Sequence, residues 1–395
     1  WIFGWGRLSK TLHLVSIWCV AIGTMLSALW ILGANSWMQH PVGATFNAET
    51  GRAELDKATG FFQIVANPVL FWEFTHVITS AWLIAGSVIA GLATWWMIRA
   101  HRSDTELGRE QALNVWRPIA RFGFVVVLVG GLGVTTTGHF QGQEIVELQP
   151  MKMAAAEGIC MDAKGAAFTV AQFGSCPLEG DTPEPTKFVE VPGVAAFMSH
   201  NDFNAEVQGV ADIQKRMIDL LNANPDFTAK YGDAAQYDFR PPQMASFWSF
   251  RLMIALGMVA FLVGAWGLWA TRKGAVSDNK WLGRLALLNM PLPFIAASFG
   301  WIFTEIGRQP WIVMPNLKGL ENGDPVGSVM LMTDSAISPN VPAAQMLATL
   351  IGFTLLYAIL GVIWFVLMKR YALEGIHSSK KTHEGETVGA LSFGY

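Results

Sequence analysis

Apolar residues along this chain fall into six long blocks, at approximately 12–34, 74–98, 118–137, 250–270, 285–305 and 343–368. A bilayer-crossing helix needs about 20 mostly apolar residues, so the pattern predicts an all-α, polytopic membrane helical bundle with six spans. The third block is short before its flanking Arg117 and Arg121, whose long stems can snorkel to the interface. Most connections are short and polar. The exception is an insert at 138–245, which leaves membrane helices at 1–137 and 246–371 and an expected disordered cytoplasmic tail at 372–395. The insert carries Asp181-Thr182-Pro183-Glu184-Pro185 and a run from Asp202 to Leu221 with amphipathic helical character.

Composition agrees with membrane residence. The chain is 52% hydrophobic and 14% charged, against roughly 25% charged in soluble domains. A net charge of −3 and the lack of a basic tract give no reason to expect a nucleic-acid partner. The chain opens on Trp1 with no signal-peptide pattern before Gly4-Trp5-Gly6-Arg7, and it reads as starting partway through a longer protein. Fifteen of the twenty-seven Lys and Arg residues alternate consistently onto one side of the six spans, in short loops and the start of the C-terminal tail. Basic loops stay cytoplasmic, so the insert is expected outside. Cys160 and Cys176, with fifteen residues between them, would then lie in an oxidising compartment and form a disulfide. Cys19, in mid-helix, is expected to be a buried free thiol.

The fifth block ends in Gly300-Trp301-Ile302-Phe303-Thr304-Glu305-Ile306-Gly307-Arg308-Gln309-Pro310-Trp311. A carboxylate and an arginine three residues apart at a membrane-helix end are expensive to bury and call for a partner such as a metal or propionates. With the insert outside, His76 and Met253 also fall near the outer ends of their spans, at a depth similar to Glu305. Histidine with methionine is a known axial pair for haem iron. Each residue also reads plainly as structure: His76 as a hydrogen-bonded histidine, Met253 as a core filler, Glu305 and Arg308 as an interfacial ion pair. The residues alone define a haem or metal site near the outer face and name no reaction.

Five short strings add to this. They are Phe3-Gly4-Trp5-Gly6-Arg7-Leu8; Leu26 to Leu32 with Ala34-Asn35-Ser36-Trp37-Met38-Gln39; Asn67-Pro68-Val69 with Phe74-Thr75-His76; Phe250-Arg251-Leu252-Met253; and Gly307 to Trp311. Together and in this order they resemble subunit I of cytochrome bd-type quinol oxidases, in the form with a short external quinol loop and without the first three helices of that family. The resemblance implies nine spans in a full subunit. It implies quinol oxidation at the outer face and reduction of O2 to water through two b haems and haem d, without a dedicated proton pump.

By the same resemblance, His76 and Met253 would ligate a low-spin haem b, with Arg251 beside it. Glu305 would ligate a high-spin haem b, with Trp301 assisting electron transfer between haems and Arg308 pairing with propionates. Lys152 and Glu157 would form the quinol site, and Ser27 would lie on a proton path. The ligand of haem d would come from the further helices. A second large subunit, a small single-helix subunit and a bacterial plasma-membrane location are implied as well. Two other classes remain open on the residues alone: an electron-carrying di-haem b subunit without an oxygen site, and a multi-pass transporter. In a transporter, the intramembrane charges would be expected near the midplane.

Overall fold

The computed structural model describes Gly4 and residues 6–103, 105–178, 184–338 and 340–374. Most of the predicted tail and part of the Asp181–Pro185 string lie outside the described residues. Among the described residues six helices are long and apolar enough to cross a membrane, and all six predicted spans have a counterpart. They are α1 (Lys10–Gln39), α2 (Pro68–His101), α3 (Arg117–Leu148), α4 (Gln243–Ala270), the broken pair α5 (Lys280–Leu288) and α6 (Leu292–Ile306), and α7 (Ala343–Glu374). Two compact units are distinguished. One is formed by the described residues of Trp1–Ala28 and Ile337–Tyr395, the other by Leu29–Ala336.

Helix ends follow local chemistry. Asn67 accepts a hydrogen bond from the Val69 backbone N–H, and Pro68 takes the first turn of α2, where its missing N–H is not needed. Helical backbone runs from Glu106 into α3 through a wide π-type turn at Ala112–Trp116. Pro118, which cannot donate to the carbonyl four residues back, follows that turn directly. The fifth span is broken at 289–291, where the sequence alone suggests one helix. Pro291 and Pro293 remove two donors and disfavour helical backbone in the residues before them.

The tightest packing lies between α2 and α3, where glycine lets the backbones meet. A Cβ at Gly123 would stand 2.5 Å from the Ala90 backbone nitrogen, and one at Gly86 would stand 2.7 Å from that of Val127. Small residues at such crossings are how apolar helices associate in lipid, where burial of apolar surface supplies no drive. At the opposite end from the insert, Arg117 and Arg121 donate to the carbonyls of Thr271 and Leu268 at the C-terminus of α4, neutralising its partial negative charge.

The insert is more ordered than a loop. Helices α3 and α4 extend about ten residues and three residues into it, and a short helix (Pro150–Glu157) follows α3 directly. An amphipathic helix (Val210–Asn222) starts eight residues later than the sequence suggests, after Gly209. It buries Ile213, Met217 and Leu221 in a core shared with Phe227, Phe239 and Trp311. Trp311 stacks on Phe239 with centroids 5.5 Å apart, so the segment after α6 is tied to the insert. A disulfide joins Cys160 to Cys176.

One expectation is corrected. Cys19 is a free thiol but exposed, not buried. An apolar sequence specifies exclusion from water, which lipid satisfies as well as protein does. The most apolar stretches of α1 and α7 have no buried residue, whereas that of α2 is 39% buried and that of the α5–α6 span 22%. The glycine contacts with α3 cover α2 in a way that hydropathy does not record.

Gly123→Leu should force α2 and α3 apart and destabilise the protein by about 1–3 kcal/mol, the usual cost of overpacking. Gly257→Ala, at a site with nothing within 4 Å of the new Cβ, should be tolerated. Thermal unfolding in detergent tests both, and equal effects would refute the close-packing account. Alkylation under denaturing, non-reducing conditions should mark Cys19 alone, with Cys160 and Cys176 labelled only after reduction.

Candidate functional site

Polar side chains converge at the end of the bundle that carries the insert. Asn35 and Gln39 lie four residues apart and so share one face of the last turns of α1. Gln39 is the hub. Its Nε2 donates to Asn35 Oδ1 at 2.7 Å and to Glu73 Oε1 on α2. Its Oε1 accepts from Lys152 Nζ at 3.0 Å and from Gln149 Nε2 at 3.1 Å. Asn35 Nδ2 continues the chain to Glu305 Oε1 at 2.8 Å, and Arg308 Nη2 donates to Glu305 Oε2 at 2.5 Å. One connected network therefore runs from Lys152 to Arg308.

Lys152 is 1% exposed. Its helix starts at Pro150 and ends at Gly158, which adopts the left-handed conformation (φ 69°) that terminates a helix with least strain. A Cβ at Gly307 would approach Lys152 Cγ to 2.9 Å, so that glycine makes room for the lysine stem. The Nζ stands 5.1 Å from the Phe303 ring centroid, a cation–π contact. Burial lowers the Lys152 pKa to about 8, with the Glu73 charge opposing that shift.

Glu157 does not pair with Lys152. It forms a buried ion pair with Arg251, Oε2 to Nη2 at 2.7 Å. Arg251 also donates to the backbone carbonyls of Thr169 and Ala156, and its guanidinium lies 4.0 Å from the Phe168 ring centroid. Burial raises the Glu157 pKa, while the Arg251 charge pulls it down.

His76 is half-buried on α2, with Nδ1 3.1 Å from Thr137 Oγ1 on α3. The Thr137 hydroxyl proton is already given to the Gly133 carbonyl at 2.8 Å. The Nδ1–H tautomer of His76 can donate to that hydroxyl, and in that tautomer Nε2 presents a lone pair to a metal. A Cβ at Gly138 would come within 3.1 Å of His76 Cε1, and one at Gly300 within 3.0 Å of Met253 Sδ. Glycine clears space beside both proposed ligands. Met253 is the eleventh residue of α4, because that helix begins at Gln243, inside the insert. Arg308 is 4% exposed, and its Nε and Nη1 have no partner among the described residues. Two buried unpaired N–H groups fit an anionic group such as a propionate. The donor set therefore suits haem.

Two other expected site residues make no hydrogen bond to this network among the described residues. Trp301 lies on α6, 41% exposed. Ser27 is exposed on α1, in the other compact unit. Sequence reasoning missed Gln39, Glu73 and Thr137 as participants. The four-residue spacing of Asn35 and Gln39 at the end of an apolar helix is the one signal that pointed to a shared polar face.

A family model described as cytochrome bd terminal oxidase subunit I matches residues 1–376. The chain is 34% identical over 375 residues to cytochrome bd ubiquinol oxidase subunit 1 of Bacillus subtilis (strain 168), covering 95% of this chain and 70% of that one. It is 30% identical over 417 residues to cytochrome bd-II ubiquinol oxidase subunit 1 of Escherichia coli (strain K12), covering 94% and 75%. The fold superposes on the bd oxidase from Geobacillus thermodenitrificans with a TM-score of 0.68 at 22% identity, covering 95% of this chain and 74% of that one. On the strength of a match along nearly its whole length, the chain belongs to the cytochrome bd terminal oxidase subunit I family.

Proposed function

We propose that this chain is the quinol-oxidising subunit of a cytochrome bd-type terminal oxidase, a quinol:oxygen oxidoreductase of the bacterial plasma membrane. The observation that carries the reading is the buried polar network at the insert-bearing end of the bundle, together with the metal-competent His76. It has Lys152 at one end and Glu305 with Arg308 at the other. Bound haem would supply the electron-transfer chemistry linking quinol to oxygen. Two quinols release four electrons and four protons, and one O2 takes up four of each to give two waters.

The side chains divide the work. Lys152, a buried cation held by Gln39, donates a hydrogen bond to a quinol oxygen and stabilises negative charge as that oxygen loses its proton. Glu157, its affinity for protons raised by burial, is suited to accept a proton at the same end of the bundle. Arg251 fixes Glu157 and holds the insert to α4 through the Thr169 carbonyl. His76 through Nε2 and Met253 through sulfur would hold a low-spin haem b. Glu305 keeps lone pairs for a high-spin haem b even with both oxygens hydrogen-bonded, and the free N–H groups of Arg308 would take propionates. Trp301 would assist transfer between haems, and Ser27 would stand on a cytoplasmic proton path. The basic loops support an orientation with the insert outside. In that orientation quinol protons leave outward while those consumed at oxygen enter from the cytoplasm. Haem d, a second large subunit and a small single-helix subunit complete the proposed complex.

His76→Ala and Met253→Ala should each remove the low-spin b absorption and quinol oxidation together. Reduced-minus-oxidised spectra and duroquinol-dependent oxygen uptake test this, and a variant that retains both overturns the ligand assignment. Glu305→Ala should disturb the high-spin haem b selectively, with partial retention in Glu305→Asp.

Lys152→Met should raise the quinol KM about tenfold, the loss expected of a charge-assisted hydrogen bond of ~1.5 kcal/mol, with haem spectra unchanged. Loss of haem with unaltered quinol kinetics would contradict the assignment. Glu157→Ala should also lower stability by about 3–5 kcal/mol, because it strands the buried Arg251 charge.

A further inference from the structure

We propose that Glu73, acting through the side-chain amide of Gln39, is the buried counter-charge that fixes the Lys152 ammonium for quinol binding. Glu73 and Gln39 are then positioning residues of the quinol site. The proposal rests on the reading of Lys152 as a quinol-contacting residue.

The geometry is that of a bridge. Lys152 is buried, and the side-chain oxygen it meets is Gln39 Oε1, an amide that carries no charge to offset its own. The same amide gives its N–H to Glu73, so one glutamine joins a cation to a carboxylate with its acceptor on one and its donor on the other. Glutamine is suited to this place, because an acid here would lack the donor and a lysine the acceptor. Glu73 is 5% exposed, and its Oε2 has no partner among the described residues, so its charge is not consumed by other bonds. Glu305 and Arg308 also face Lys152; Arg308 opposes its charge and Glu305 favours it.

The consequence is directional. Burial drives Lys152 towards its neutral form, and the Glu73 charge is the main influence holding it protonated. Removing the Glu73 charge must lower the pH at which Lys152 loses its proton. A neutral amine can no longer stabilise the anion that forms as quinol deprotonates. The effect should appear in catalysis as a displaced alkaline limb, not as a uniform loss of protein.

The experiment is the pH profile of kcat/KM for duroquinol oxidation in the purified oxidase, paired with equilibrium binding of a hydroxyquinoline N-oxide quinol analogue. Glu73→Gln should move the alkaline limb to lower pH by about 1 unit and weaken analogue binding above neutral pH, with haem spectra intact. Glu73→Asp should restore part of the shift. In the Lys152→Met background, Glu73→Gln should add nothing further. An unmoved alkaline limb in Glu73→Gln, with Lys152→Met still raising KM, overturns the counter-charge proposal and leaves the quinol-site reading standing. If Lys152→Met changes neither KM nor analogue binding, the quinol-site reading itself fails. Should Glu73→Gln not assemble with haem, Gln39→Leu decides the matter by cutting the bridge with both charges in place. The same shift supports the proposal, and an unmoved limb refutes it.

Discussion

A charge buried in a poorly polarisable interior must find compensation within the protein, and at the insert-bearing end of this bundle one glutamine links the charges that provide it. Gln39 presents a donor and an acceptor on a single planar group, and it uses both. Elements distant in sequence meet there: the end of α1, the start of α2, the short helix after α3 and, through Asn35, the end of α6. A partly satisfied polar network inside a protein is worse than none. The positions of these elements are therefore coupled, and moving one strands a charge belonging to another.

Apolar packing sets the frame in which that coupling works. Between α2 and α3 the absent side chains of Gly86 and Gly123 bring the backbones together. The same face then carries His76 against Thr137, so close packing and the orientation of an imidazole arise from one helix pair. The insert adds a second core around Phe239 and Trp311, which clamps the turn holding Arg308. The Gly307–Trp311 string thus has a role at both ends: a glycine that admits the Lys152 stem and a tryptophan that anchors the chain.

The spans and their order were legible because a run of about 20 apolar residues has few alternatives in a membrane protein. The break at 289–291 was legible in principle from Pro291 and Pro293, but hydropathy averages over it. Exposure was not legible. Cys19 is exposed in an apolar helix, because hydropathy does not distinguish a lipid-facing side from a protein-facing one. At the site, residue types with strong chemistry drew notice: His76, Met253, Glu305, Arg308, Lys152 and Glu157. Their partners did not. Glutamine and threonine carry no distinctive signal until tertiary structure places Gln39 between Lys152 and Glu73, and Thr137 beside His76. Lys152 and Glu157, expected together at a quinol site, have separate partners in the fold.

The reason lies in helix geometry. Five residues along a helix turn the side chain through roughly 500°, which leaves Lys152 and Glu157 about 140° apart around the axis. They therefore face different neighbours, Gln39 in one direction and Arg251 in the other. The short helix that carries them is buried at every position, so it can neither rotate to bring the two together nor withdraw from either partner. On the proposed function, a quinol at this helix would meet a cation and a carboxylate whose separation the backbone sets. Each is held by its own counter-group, and neither is neutralised by the other. Had they formed a direct ion pair, each would have satisfied the other and left little polarity to offer a substrate. Keeping them apart costs two separate compensating arrangements, Gln39 with Glu73 for the lysine and Arg251 for the glutamate.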